Sequence, residues 1–130
     1  MTDNGVTRDE ASGPFFDAAA SGQLLARRCA DCGHWVAPYT RRGLALERCP
    51  NCTSDRLEWE PTRGEGTLVT WTVVHTRDGP SAPIGVVELA EGPWVTARVE
   101  ADPEALRAGM PLTVGFTRPG GGEPVPFFRP

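Results

Sequence analysis

Cys29, Cys32, Cys49 and Cys52 are the residues of this chain whose type and spacing point most directly to chemistry. They form two C-x-x-C pairs with sixteen residues between them, the spacing of a zinc ribbon or of paired rubredoxin-type knuckles. Two residues between paired cysteines let both sulfurs reach one ion, and two such knuckles close a tetrahedral four-thiolate site. A closed shell has no open position for substrate or water, so the expected metal is a structural Zn²⁺. The same cage can hold iron as a one-electron carrier, and Cys49-Pro50-Asn51-Cys52 echoes the second rubredoxin knuckle. Two disulfides are the third reading of four cysteines. Met1 to Glu10 is polar and acidic rather than an apolar leader. A cytoplasmic location with reduced thiols is therefore expected, which favours metal over disulfide.

Other chemistry is sparse. The chain has no Gly-rich phosphate loop with lysine and no Gly-x-Ser-x-Gly elbow. Its two histidines, His34 and His75, have no cysteine free for nucleophilic work beside them, and both read as surface or packing residues. Glu58/Glu60 and Glu100/Asp102 sit at strand spacing, as expected of solvated strand edges. No catalytic residue is assigned.

Composition bounds the alternatives. In 130 residues there is no apolar run long enough for a membrane helix. All thirteen basic residues are arginine, the net charge is −4 and the pI is near 5.1. That balance weighs against a nucleic-acid-binding module, which usually shows a basic face. Charge is uneven: residues 24–58 carry six arginines against four acids, whereas 59–130 carry six against nine. Arg27, Arg28 and Arg48 can offset the −2 charge of Zn²⁺ with four thiolates.

The elements that must position the cysteines follow from punctuation and periodicity. Residues 1–23 read as a polar tail followed by a short helix, with Pro14 at its first position and Gly22 at C′. Residues 24–60 read as the ribbon. Leu24 to Arg28 enters the first knuckle, Gly33 supplies positive φ, His34 to Pro38 returns, and Leu57 to Glu60 leaves the second knuckle. A unit this small buries too little to fold alone, so bound metal must supply stability. Residues 61–130 read as all-β: a long strand over Gly66–His75, then Ile84–Leu89, Trp94–Val99, an alternating Leu112-Val114-Phe116 strand, and Phe127-Phe128. Leu68 and Val74 on one face, with Val69, Trp71 and Val73 on the other, suit a curled strand shared by two sheets. Asp102 and Pro103 can open a short helix that Gly109 closes. The fold class is mainly β: a short helix, a rubredoxin-like four-cysteine zinc ribbon and a five-stranded OB-type barrel.

This order resembles the zinc-ribbon plus OB-fold family called domain of unknown function thirty-five. The residues that carry the likeness are Phe15-Phe16, Gly22-Gln23-Leu24, Arg28-Cys29-x-x-Cys32-Gly33, Pro38, Cys49-Pro50-x-Cys52, Trp59, Gly64-x-Gly66, Thr72-Val73-Val74-His75, Gly109-Met110-x-Leu112-x-Val114-x-Phe116 and Phe128-Arg129-Pro130. The resemblance implies a partner protein rather than a stand-alone enzyme. Family members accompany thiolase-like enzymes that act on acyl-CoA thioesters, among them sterol-carrier-type thiolases and the retro-aldolases of steroid side-chain breakdown. Chemistry in such complexes resides on the larger subunit, and an α2β2 heterotetramer is the expected assembly. The small subunit is implicated in assembly and in holding the CoA thioester. The connection from Pro38 to Cys49 is longer here than in many relatives. Within it, Arg41 and Arg42 are candidate contacts to a CoA phosphate, because guanidinium binds phosphate in bidentate fashion.

Overall fold

The computed structural model describes residues 13–38, 48–73, 75–77, 79–80 and 83–130. Helix α1 spans Gly13–Ala20. It ends in a Schellman turn: Gly22 takes φ 81°, its N–H bonds the Ala19 carbonyl at 2.9 Å, and the Gln23 N–H bonds the Ala18 carbonyl at 2.9 Å. Eight residues make a weak helix in isolation. Burial of Phe15, Phe16 and Ala19 holds this one in place.

Three short strands follow: β1 (Leu25–Cys29), β2 (Trp35–Val36) and β3 (Leu57–Pro61). They form an antiparallel sheet in the order β2-β1-β3, with Arg27 opposite both Val36 and Trp59. The first knuckle joins β1 to β2, and the second precedes β3.

The rest of the chain builds a closed barrel from β4 (Glu65–Thr72), β7 (Ile84–Leu89), β8 (Trp94–Val99), β9 (Pro111–Thr117) and β10 (Val125–Arg129). A separate two-residue ladder, β5 (His75–Thr76) with β6 (Gly79–Pro80), lies between β4 and β7. The barrel order is β10-β8-β7-β4-β9, and every neighbouring pair is antiparallel except β10 with β8. That closure leaves no unpaired edge strand and has the strand count of an OB-type barrel.

Strand β4 performs the curling expected of it. It pairs with β9 through Glu65–Thr67 and with β7 through Gly66–Thr72. The register shifts between Leu68 and Thr70, so Val69 is the extra residue of a bulge that bends the strand. At the start of β4, Gly66 runs close against β7. A Cβ there would lie 2.5 Å from the Glu88 carbonyl oxygen, which explains why the position carries no side chain.

Alternation along β8 buries Val95, Ala97 and Val99, as their spacing predicts. Val87, Leu89, Leu112 and the wholly buried Phe128 meet them inside the barrel. Phe15, Phe16 and Leu24 belong to the same apolar cluster, so α1 and the entry to β1 share the barrel's core. The Phe15 ring also lies 6.0 Å from that of Trp59 on β3.

Two expectations change. The long strand ends at Thr72 rather than His75, and the segment from Asp102 to Gly109 forms only a 3-10 turn at Pro103–Ala105. Asp102 does cap that turn, accepting from the Glu104 N–H at 3.0 Å. Leu106 then takes φ −75° and ψ 140° and is buried. Extended backbone at Leu106 ends the helix early, because the chain must return Gly109 and Met110 to the Leu68 backbone.

Candidate metal centre

The two knuckles are built alike. In the first, the Gly33 N–H bonds the Cys29 carbonyl at 2.9 Å, and the Cys29 N–H bonds the His34 carbonyl at 2.9 Å. In the second, the Thr53 N–H bonds the Cys49 carbonyl and the Cys49 N–H bonds the Ser54 carbonyl, each at 2.8 Å. Gly33 has φ 77° and Thr53 φ 64°, so both loops turn through a left-handed residue just after their second cysteine. Sequence reasoning finds Gly33 by its type and misses Thr53.

These loops bring the four sulfurs within 4.8 Å of one another. Cys29 Sγ lies 3.5 Å from Cys52 Sγ, and Cys32 Sγ lies 3.7 Å from Cys49 Sγ. A tetrahedron with metal–sulfur bonds of ~2.3 Å has sulfur–sulfur edges of about 3.8 Å. The arrangement therefore fits one ion held by four thiolates. All four cysteines are free thiols, with Cys29 and Cys49 buried and Cys32 and Cys52 exposed.

Polar donors aim at the sulfurs. The Cys32 N–H reaches Cys29 Sγ at 3.5 Å, the Asn51 N–H reaches Cys49 Sγ at 3.4 Å, and Asn51 Nδ2 reaches Cys32 Sγ at 3.5 Å. The Asn51 amide and the His34 backbone N–H together hold the Cys32 thiol down to about 6. The Cys32 backbone N–H lowers Cys29 likewise. Cys52 behaves oppositely. The Ser54 N–H favours its thiolate, but the sulfurs of Cys29, Cys32 and Cys49 and loss of solvent outweigh it and push the group up to about 12. Four sulfurs this close cannot all carry negative charge without a cation among them, and a divalent ion removes the conflict.

A clamp outside the sulfur cage ties the knuckles together. Asp31, between the first two cysteines, accepts from Ser54 Oγ and from Arg56 Nη1, the latter at 2.9 Å. The Ala30 N–H bonds the Arg56 carbonyl at 2.8 Å, closing the same junction through backbone. Asp31, Asn51, Ser54 and Arg56 have no signature of their own in the sequence; only their places inside or beside the knuckles hint at a role.

The remaining sequence candidates scatter. His34 is exposed and lends the centre its backbone rather than its ring. Arg28 bonds the Gly33 carbonyl at 3.1 Å and pairs with Glu60 at 3.8 Å. Arg27 stacks 5.5 Å from the Trp59 ring, and burial lowers its pKa. Glu100 pairs with Arg98 at 3.8 Å. Arg41 and Arg42 lie outside the described residues.

Known proteins share both halves of this architecture. Residues 16–38 match the family model described as ChsH2, rubredoxin-like zinc ribbon domain, and residues 59–117 match ChsH2, C-terminal OB-fold domain. Together the matches span more than half of the chain. A DUF35 domain-containing scaffold protein of Pyrococcus furiosus is 33% identical over 96 residues, which is 68% of this chain and 64% of that protein. The chain belongs to the DUF35 family. Its length covers less than two thirds of that archaeal relative.

Solved DUF35 structures agree with the fold. The Ltp2-ChsH2(DUF35) aldolase superposes with a TM-score of 0.77 at 23% identity, covering 96% of this chain and 98% of the other. A DUF35 protein of unknown function from Sulfolobus solfataricus gives 0.62 at 13% identity, covering 92% and 84%. The ribbon match ends at Pro38, where the long connection to the second knuckle begins.

Proposed function

We propose that this DUF35 chain is the non-catalytic small subunit of a thiolase-like enzyme that acts on acyl-CoA thioesters. The observation that carries the reading is the near full-length structural likeness to the ChsH2 component named in an aldolase complex, joined to a relative named as a scaffold. In this reading Cys29, Cys32, Cys49 and Cys52 hold Zn²⁺, and residues 24–60 form a rigid ribbon beside an OB domain of residues 61–130. The assembly is a heterotetramer in the cytoplasm, the thioester is held at the complex, and the reaction belongs to steroid or lipid side-chain breakdown.

The site's own geometry supports an assembly role. Three of the four acids singled out from the sequence are engaged structurally: Glu60 with Arg28, Glu100 with Arg98, and Asp102 with the Glu104 backbone. A four-thiolate shell would add rigidity rather than turnover. Co-expression with thiolase-like proteins from the same genome tests the reading. A stable complex whose acyl-CoA activity exceeds that of the large subunit alone is expected; two proteins that elute apart and do not affect each other's activity overturn it.

A further inference from the structure

Each knuckle offers one buried and one exposed sulfur: Cys29 with Cys32, and Cys49 with Cys52. Between the knuckles, the exposed sulfur of one faces the buried sulfur of the other. Cys52 Sγ lies 3.5 Å from Cys29 Sγ, and Cys32 Sγ lies 3.7 Å from Cys49 Sγ. Within each knuckle, a backbone N–H lies against the buried sulfur instead: that of Cys32 on Cys29, and that of Asn51 on Cys49.

Bonds outside the sulfur cage keep the knuckles facing each other. Asp31 accepts from Ser54 Oγ and Arg56 Nη1, and the Ala30 N–H bonds the Arg56 carbonyl at 2.8 Å. A disulfide is about 2.05 Å long, so each sulfur of a facing pair needs to move less than ~1 Å to form one.

We infer that the ribbon is an oxidative modification site: a peroxide converts its four thiolates to the disulfides Cys29–Cys52 and Cys32–Cys49, which frees the bound ion and leaves the knuckles joined covalently. Coordinated cysteines are deprotonated, and the thiolate is the nucleophile. An exposed sulfur, Cys32 or Cys52, attacks one peroxide oxygen. The O–O bond breaks, an S–O bond forms and hydroxide leaves. The facing buried thiolate then attacks that sulfur, the S–O bond breaks, and a second hydroxide leaves as the disulfide forms. Each pair gives two electrons to one peroxide, and two peroxides leave no thiolate to hold the cation. A resolving cysteine beside an exposed reactive one is the arrangement of redox-sensor sites. The inference rests on the four-thiolate reading of the centre and is independent of the chain's partner.

The test treats the full Zn²⁺-loaded chain with hydrogen peroxide in the presence of a chromophoric zinc chelator. Zinc content is measured before oxidation, so failure of the metal reading shows there, while the disulfide pairing is read in either case. Release of the ion should keep step with loss of all four thiols, and dithiothreitol with added Zn²⁺ should reverse both. Trypsin cleaves after Arg28, Arg41, Arg48 and Arg56, so residues 29–41 and 49–56 carry one knuckle each. Without reductant, the two peptides should travel as one species, lighter than their sum by four hydrogens. Its fragment ions should link Cys29 to Cys52 and Cys32 to Cys49. Amide exchange in β1–β3 should stay slow in the oxidised chain, unlike the reduced chain after chelation. Separate peptides closed within each C-x-x-C overturn the inference, as does pairing of Cys29 with Cys49 and Cys32 with Cys52. So do sulfinic or sulfonic products without disulfide, intact thiols with zinc retained, or ribbon protection lost as fully as in the chelated chain.

Discussion

Arg48 donates from Nη1 to the carbonyl of Thr53 at 3.1 Å, bracing the one non-glycine residue with positive φ among the described residues. Arg28 makes the matching bond to Gly33, also at 3.1 Å, in the other knuckle. Each arginine immediately precedes the first cysteine of its pair. The two loops are thus braced by the same device, but only one has glycine where the backbone is left-handed.

That asymmetry predicts substitutions of opposite sign. Left-handed backbone costs an L residue roughly 1–2 kcal/mol, and glycine's extra chain entropy costs about 0.5–1 kcal/mol. Thr53→Gly should therefore stabilise the chain and Gly33→Ala destabilise it, each by roughly 0.5 kcal/mol. Denaturant melts of the metal-loaded proteins check both; a Thr53→Gly variant less stable than the parent contradicts the account.

Metal affinity should rise with pH. Cys32, held to about 6, is already a thiolate at neutral pH, whereas Cys52, raised to about 12, must give up its proton to bind metal. Raising pH removes that competing proton and so favours binding. Below pH ~6, Cys32 also gains a proton, and affinity should fall more steeply. Asn51→Leu deletes the leading cause of the Cys32 depression and should move the steeper region upward in pH. Competition titrations against a chromophoric chelator between pH 5 and 8 measure this. A flat affinity profile would be inconsistent with the cage described.

Close approach at Gly66 predicts a large packing effect. A Cβ would meet the Glu88 carbonyl at 2.5 Å and Val87 Cγ1 at 2.8 Å. Overpacking of this kind typically costs ~1–3 kcal/mol. Gly66→Ala should lie at the upper end, because the leading clash is with backbone. Gly13, where a Cβ meets nothing within 4 Å, is the control, and Gly13→Ala should stay within about 0.5 kcal/mol.

Much of this was legible from local pattern. β7 covers Ile84–Leu89 and β8 Trp94–Val99, the spans their β-branched and alternating residues predict. The cysteine spacing pointed to the four-sulfur cluster, and Pro14 with Gly22 framed α1. What escaped was nonlocal. The Asp31 clamp joins residues 23 and 25 positions apart, and no short-range signal selects Ser54 or Arg56 as its partners. Thr53 escaped because reading positive φ from glycine alone overlooks a site braced by Arg48. The helix expected after Asp102 had a sound cap and stop, but the need to return Met110 to Leu68 overrode them.

Chelation should separate ribbon from barrel. Structural Zn²⁺ in small ribbons contributes apparent binding free energies of ~10–16 kcal/mol at neutral pH, so its removal should unfold the knuckles. Amide exchange in β1–β3 should then accelerate by orders of magnitude. β7 and β8, whose core residues Val87 and Val99 are wholly buried, should keep most of their protection. Unchanged ribbon protection after complete metal removal contradicts a structural role.

The central claim is assembly with a thiolase-like enzyme, and the most direct measurement is the mass of the co-purified complex by light scattering. The account predicts a single species containing two copies of this chain and two of the larger subunit, with zinc retained in each ribbon. A metal-loaded, folded chain that elutes alone in the presence of that partner at micromolar concentration contradicts it.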